Sequence, residues 1–295
     1  MSVFFLCLLL LAVAQPAMAA CRLSSQADVV VYVGEGVGPF SQAWTRAFFS
    51  WLSAANPGLV VSYAEADDLN SFIDGSACVL ADGQAFPDLR LWVQPGGAAD
   101  NQSAALGPAG RDNLLNFAAT DRGHYMGTCA GQYFAAGSYW WAEQDEPLPG
   151  RFFANAWQAH WIPTVEGPLK AIANYPDYAP TLLSNGLTQI YWGGPARGAL
   201  ATAAANPNGG TVLSNFTDPA LPAGVAATWT YTGAFVRALL NSPHPEAQAG
   251  VGLSCAPPLP PGCITEAQQL ANWRDLAANI NALVEGWAWV IPTSL

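Results

Sequence analysis

Gly123-His124-Tyr125-Met126-Gly127-Thr128-Cys129-Ala130-Gly131 is the stretch on which the reading of this chain turns. It follows the polar Thr120-Asp121-Arg122 and precedes Gln132–Ala142, where small and aromatic residues recur at helical spacing. The pattern predicts a short buried strand, a sharp turn at Cys129, then a helix over Gln132–Ala142. Gly127 and Gly131 lack the Cβ that would clash where a strand folds sharply into a helix. A cysteine at that turn sits at a helix N-terminus, where partial positive charge favours the thiolate. A buried cysteine in a glycine-rich turn has the same local sequence, so the flanking segments must separate the two readings.

Upstream, Asp28–Val33 is a β-branched run that ends in Gly34-Glu35-Gly36-Val37-Gly38, as a buried parallel strand with a glycine-rich exit does. The spacing of these glycines is not the dinucleotide fingerprint, and no nucleotide is inferred. Ser41–Ala54 carries Trp44, Ala47, Phe48 and Trp51 as an amphipathic helix stopped by Asn56-Pro57-Gly58. Leu59–Tyr63 reads as a second strand, Asp67–Ile73 as a short helix and Arg111–Ala119 as another. Between them, Leu89–Gln94 is a third strand running into Pro95-Gly96-Gly97-Ala98.

Downstream, residues 143–180 lack clear periodicity. Thr188–Pro195 reads as a strand and turn; Thr211–Phe216, Ala226–Tyr231 and Ala234–Leu240 read as strands. Glu266–Trp287 reads as a terminal helix with Leu270, Trp273, Leu276, Ala277, Ile280 and Leu283 on one face. Alternating strands and helices predict an α/β fold with a central, mostly parallel sheet and its site at the carboxyl ends of the strands. Gly34–Gly38, Pro95–Ala98 and Cys129 all fall at such ends.

A length of 295 residues suffices for one large domain or two small ones. The formal net charge of −11 argues against a nucleic-acid partner, which needs a basic footprint. Phe4–Val13 is apolar but too short to span a bilayer, and Ala17-Met18-Ala19 fits signal-peptidase cleavage. Residues 1–19 therefore read as a signal peptide and the protein as secreted or periplasmic, with lipidation at Cys21 as the minority alternative. The remainder reads as one domain over 20–250, with 251–295 forming a proline-rich clip and a helix packed on it. Removing Cys7 leaves Cys21, Cys78, Cys129, Cys255 and Cys263. Cys255 and Cys263 flank a stiff proline loop and make a natural disulfide, Cys21 and Cys78 a second, which leaves Cys129 free.

A cysteine nucleophile needs a base, and the base an orienting group. His124 lies on the incoming strand and reads as structural; His160 has no constellation around it. His244 follows a predicted buried strand, and prolines at 243 and 245 hold it extended, so that Glu246 projects to the same side. Such a carboxylate fixes the imidazole tautomer. The amides of Gly96 or Gly97 and of Ala130 are the candidate oxyanion donors.

In chain order, Pro95-Gly96-Gly97-Ala98, Gly127-Thr128-Cys129-Ala130-Gly131-Gln132-Tyr133, Tyr191-Trp192-Gly193-Gly194-Pro195 and Pro243-His244-Pro245-Glu246 resemble the motifs of the class I glutamine amidotransferase-like superfamily. Within it they are most similar to the N-terminal amidotransferase-like domain of biotin–protein ligases and its stand-alone relatives. The resemblance implies a flavodoxin-like sandwich with Cys129 as nucleophile, His244 as base and Glu246 as orienter. Tyr133, Trp192, Gly193 and Gly194 become candidate substrate contacts, and Glu35 either an acidic neighbour of the cysteine or a solvated residue at the strand exit. The ligases usually carry Asn-Gly-Gly where this chain has Trp192-Gly193-Gly194. No ligase domain or biotinoyl-adenylate loop follows, so biotin transfer is not expected. The expectation is an exported, thiol-dependent amide or acyl hydrolase needing no metal or cofactor and acting on a small-molecule or peptide amide. The competing readings are a non-catalytic ligand-binding module and a γ-glutamyl-hydrolase-like enzyme.

Overall fold

The structure, a computed structural model, describes residues 26–65, 88–118, 120–135, 138–141, 151–154, 169–171, 179–196, 210–217, 219, 224–232, 237–251 and 263–295. The segment expected to be a signal peptide, the helix expected at Asp67–Ile73, His160, Cys21, Cys78, Cys255 and the expected proline clip lie outside these residues.

Five short apolar runs form the parallel heart of a central sheet: β1 (Val29–Tyr32), β2 (Val61–Ala64), β3 (Leu91–Gln94), β4 (His124–Thr128) and, much later in the chain, β13 (Arg237–Asn241). Their spatial order is β2-β1-β3-β4-β13, the doubly wound order of flavodoxin-like folds. Two antiparallel strands, β11 (Gly210–Asn215) and β12 (Ala226–Thr232), extend it beyond β13 to seven strands. β1 and β3 run parallel, but the direction of winding reverses between them, so the connections leaving their carboxyl ends diverge there and open a crevice.

Both faces of the sheet's centre are covered, which is why β1 and β3 are buried throughout, whereas the edge strands β2 and β11 alternate. Val29, Val31, Leu91, Val93, Met126 and Leu239 face α1 (Pro39–Ala55) and the C-terminal helix α4 (Glu266–Leu283). Phe48, Phe49 and Leu52 fill that layer from α1, and Trp273, Leu276 and Ile280 from α4. Val30, Tyr32, Trp92, Tyr125 and Leu240 face the opposite layer, which holds α2 (Ala99–Ala118) and α3 (Ala130–Ala135). Each such apolar side chain contributes roughly 1.5–3 kcal/mol by leaving water.

α4 begins where Thr265 and Gln268 form a reciprocal capping box. Its buried stripe includes polar Gln269 and Asn272 beside the expected apolar residues, while Leu270 is only half-buried. Both polar residues bind backbone, Gln269 accepting from Ala249 N–H and Asn272 donating to the Thr188 carbonyl. The helix ends at Leu283, short of Trp287.

Two expectations are corrected. The helix predicted over Gln132–Ala142 spans only Ala130–Ala135, and Ser138–Trp141 is a strand, β5. β5 pairs with β6 (Arg151–Ala154) and β7 (Leu169–Ala171) in a separate four-stranded sheet completed by β10 (Pro195–Ala196). Tyr139, Trp140 and Trp141 favour a strand once partners are available, and local periodicity does not register such partners. The helix expected at Arg111–Ala119 begins earlier, at Ala99, and is broken at Gly107, where φ is 58° just before Pro108. β8 (Ala179–Leu182) and β9 (Thr188–Tyr191) form a hairpin that leads to Trp192.

Because Ile280 is fully buried between α4 and the sheet, Ile280→Ala is expected to lower unfolding stability in urea by about 2–5 kcal/mol. A loss below about 1 kcal/mol would show that α4 is not part of the core.

Candidate active site

Cys129 stands between β4 and α3 with φ at 52°, the one non-glycine residue with positive φ among those described. Left-handed backbone costs an L-residue roughly 1–2 kcal/mol, so something must hold it. Its N–H donates to the Asn241 carbonyl at 2.8 Å, and its own carbonyl accepts from Gln132 and Tyr133 as the helix begins. The flanking glycines give the turn room. A Cβ on Gly131 would strike the Gln94 carbonyl, and one on Gly127 would lie 2.7 Å from Gly131 O.

His244 follows β13 by three residues. Its N–H donates to the Ile190 carbonyl at 2.7 Å, which pins the segment against β9. The ring is buried, edge-on to Trp44 with centroids 5.4 Å apart. His244 Nδ1 lies 3.0 Å from Glu246 Oε1, and the carboxylate is wholly buried. Trp273 Nε1–H donates to the Glu246 carbonyl at 3.0 Å, so α4 fixes the backbone of the orienting residue.

Burial alone would disfavour a charged imidazole, but Glu246 and adjacent Cys129 outweigh it and push the His244 pKa up to about 10. In the resting geometry His244 Nε2 has no hydrogen-bond partner among the described residues. The thiol has another acceptor: Cys129 Sγ lies 3.1 Å from the Trp192 carbonyl. Ring and sulfur are neighbours, with the S–H directed away from Nε2.

Gly96 is the spacer between them. A Cβ there would come within 2.5 Å of His244 Cε1 and 3.2 Å of Cys129 Cβ. Its amide donates to Ser41 Oγ at 2.8 Å and is therefore not available as an oxyanion donor. Among the described residues, the amides of Gly97 and Ala130 carry no such bond. Cys129, His244, Gly96, Gly97, Tyr133 and Trp192 line one pocket of about 430 Å³, walled further by Val37, Pro39 and Ala98. It opens at the divergence of β1 and β3.

Other expected residues fall elsewhere. Glu35 is exposed and does not line the pocket; its carbonyl receives the Tyr32 hydroxyl at 3.0 Å. Gly193 and Gly194 are buried behind the pocket, their carbonyls accepting from Tyr133 and Tyr191 hydroxyls. His124 lies at the start of β4, with Nδ1 on the Arg122 and Arg90 carbonyls, far from the carboxyl end of that strand. Ser41, Trp44 and Trp273 were not identified from the sequence, where Ser41 and Trp44 read as an ordinary helix face. Cys263 is disulfide-bonded, and Cys129 is the free cysteine among the described residues. The pairings proposed with Cys255, and between Cys21 and Cys78, involve residues outside that set.

No protein-family model matches the chain, and no curated protein does. Solved structures similar to it include a glutamine amidotransferase, at 14% identity and TM-score 0.44 over 75% of this chain and 91% of that one. A ThuA-like protein from Bacteroides uniformis aligns at 11% identity and TM-score 0.43, covering 78% of this chain and 88% of that one. A DJ-1 variant from Schizosaccharomyces pombe aligns at 14% identity and TM-score 0.24, covering 36% and 60%. At such identities and scores the likeness carries no information about the site, whose geometry stands by itself.

Two outcomes follow from this geometry. Cys129→Gly is expected to be more stable than Cys129→Ala by about 1 kcal/mol, since glycine accepts the left-handed backbone; equal urea midpoints would show that the turn is unstrained. The proton affinity of His244 is higher folded than unfolded, so its contribution to stability is complete below pH of about 6.5 and is lost as pH rises through about 10. Glu246→Gln should flatten that slope in urea titrations across the same range; an unchanged slope would place its origin elsewhere.

Proposed function

We propose that this chain is an exported, thiol-dependent amide or acyl hydrolase that works through Cys129, His244 and Glu246, without biotin ligase activity. The observation that carries the reading is a buried His–carboxylate pair, at 3.0 Å, beside a cysteine held in left-handed backbone on the wall of a 430 Å³ pocket. Two ordinary core residues would not need that combination of strain and buried charge.

The roles follow from the chemistry. In molecules whose His244 is neutral, the thiol proton passes to its Nε2, and Glu246 holds the other ring nitrogen and stabilises the imidazolium that forms. The sulfur attacks the acyl carbon, while Gly97 and Ala130 amides donate to the oxygen that gains charge. His244 returns the proton to the departing amine, leaving a thioester on Cys129. Water, deprotonated by the same imidazole, then cleaves the thioester to a carboxylic acid and regenerates the thiol. For the first step the S–H must turn from the Trp192 carbonyl toward Nε2, a rotation about one side-chain bond.

That resting orientation also favours a second reading, a ligand-binding module in which the thiol stays on Trp192. Tryptophan quenching by a ligand without turnover would select it. Export rests on the segment 1–19, and the acyl group on the apolar walls of the pocket.

Iodoacetamide labelling near neutral pH is expected to fall on Cys129 and to vanish in Cys129→Ala. His244→Ala should slow it by roughly 10²-fold or more, since proton removal by a positioned base is lost. Labelling that persists at the wild-type rate in either variant would sink the reading.

A further inference from the structure

We propose that Ser41 is a positioning residue of this site, its hydroxyl tying the carboxylate that orients His244 to the glycine turn that carries Gly97. The proposal rests on the hydrolase reading above, and its test is arranged so that the two fail separately.

Ser41 is the third residue of α1, buried, and part of the pocket wall. Its Oγ accepts from Gly96 N–H at 2.8 Å and lies 3.3 Å from Glu246 Oε1, to which it donates. A serine hydroxyl has a single proton. With the Gly96 amide occupying an oxygen lone pair, that proton is directed at the carboxylate, and the incoming bond polarises the outgoing one. Helical serines more often bond the carbonyl a turn earlier. This one instead bridges segments 55 and 205 residues away in the chain.

The arrangement matters because Glu246 has little other support. Oε1 serves both His244 Nδ1 and Ser41 Oγ, while Oε2 has no partner among the described residues. Without the hydroxyl, His244 is the only described donor left to a fully buried carboxylate. The same loss releases Gly96, the spacer whose backbone separates the imidazole from the sulfur. One side chain therefore sets both the strength of the base and the placement of the adjoining donor turn.

The expected signature is a shift in pH dependence. The titratable groups acting on His244 are Glu246, from its own segment, and Cys129, from the β4–α3 turn. α1 presents Ser41 and the Trp44 ring, and α4 presents Trp273 to the Glu246 backbone; none of these titrates in the accessible range. A less stabilised carboxylate holds the imidazolium less firmly, so His244 should lose its proton at lower pH when the hydroxyl is gone.

The test measures the rate of iodoacetamide labelling of Cys129 against pH, with the modified peptide identified by mass spectrometry in the full chain. Ser41→Ala is expected to shift the profile midpoint down and to slow labelling roughly tenfold on the high-pH plateau, where the base is neutral in both proteins, the scale of one hydrogen bond to a charged group. Ser41→Thr and Ser41→Val, alike in volume, isolate the hydroxyl even if the alanine variant folds poorly: threonine should retain the wild-type midpoint and valine should lose it. In a His244→Ala background, Ser41→Val should add no further effect on the rate. The proposal is overturned if threonine and valine give the same profile, or if Ser41→Val and His244→Ala act independently. Should His244→Ala itself leave labelling unchanged, the hydrolase reading falls; should His244→Ala slow it while Ser41→Val does not, only the role of Ser41 falls.

Discussion

The pairing of β4 with β13 is the constraint on which the site depends. Thr128 lies opposite Asn241 and Gly127 opposite Leu240 in a parallel ladder, and that ladder continues one step into the turn as Cys129 N–H meets the Asn241 carbonyl. The cysteine then stands one residue beyond β4 and the histidine three beyond β13, at the same edge of the sheet. Side chains alternate along a strand, so a slip of one residue would carry Leu239 and Met126 from one helical layer to the other. The apolar surfaces of both layers therefore specify the register, and the register specifies which sulfur meets which imidazole. Core packing and site geometry are one constraint here.

Around that edge, the protein supports a charged group that burial alone would neutralise. An imidazolium and a carboxylate out of water are costly unless their remaining hydrogen-bonding capacity is met. The Glu246 carboxylate is reached by two donors from different parts of the chain, and its backbone is held by Trp273 from the final helix. α4 thus does more than cover a sheet face. Through Asn272 and Gln269 it also grips the backbone at Thr188 and Ala249, one on each side of the His244 segment in sequence. A helix at the end of the chain closes the back of a crevice built from its first strands.

Space is as carefully apportioned as charge. The crevice opens because β1 and β3 send their connections in opposite directions, and small residues occupy the gap: Gly36, Gly38, Gly96 and Gly97 all line it. At Gly96 even a methyl group would meet the imidazole, so catalytic-type side chains and backbone are already in contact there. Trp192 and Pro39 supply apolar walls, and the Trp192 carbonyl gives the resting thiol an acceptor.

Much of this was readable from residue order. Alternating apolar runs and amphipathic segments indicated an α/β fold with a mostly parallel sheet, because strands buried on both faces must be apolar throughout. Glycines two positions either side of Cys129 marked a strand-to-helix turn, and the prolines around His244 indicated that Glu246 would share its side. These are local rules, and local rules hold where neighbours in sequence are neighbours in space. Tyr139-Trp140-Trp141 broke them, since its strand partners are Arg151–Ala154 and Leu169–Ala171, and helical spacing cannot register a distant partner. Residue order leaves Glu35 open between crevice and solvent for the same reason: a strand exit brings the loop near the crevice, but only packing decides which side chains turn into it, and Glu35 is exposed. Ser41 carried no signal at all, because a serine in an amphipathic helix is ordinary until tertiary folding sets a carboxylate against one side of its oxygen and an amide against the other. Chain order supplied the groups and the strand ends that bear them; long-range contact alone decided their spacing, their burial and hence their chemistry.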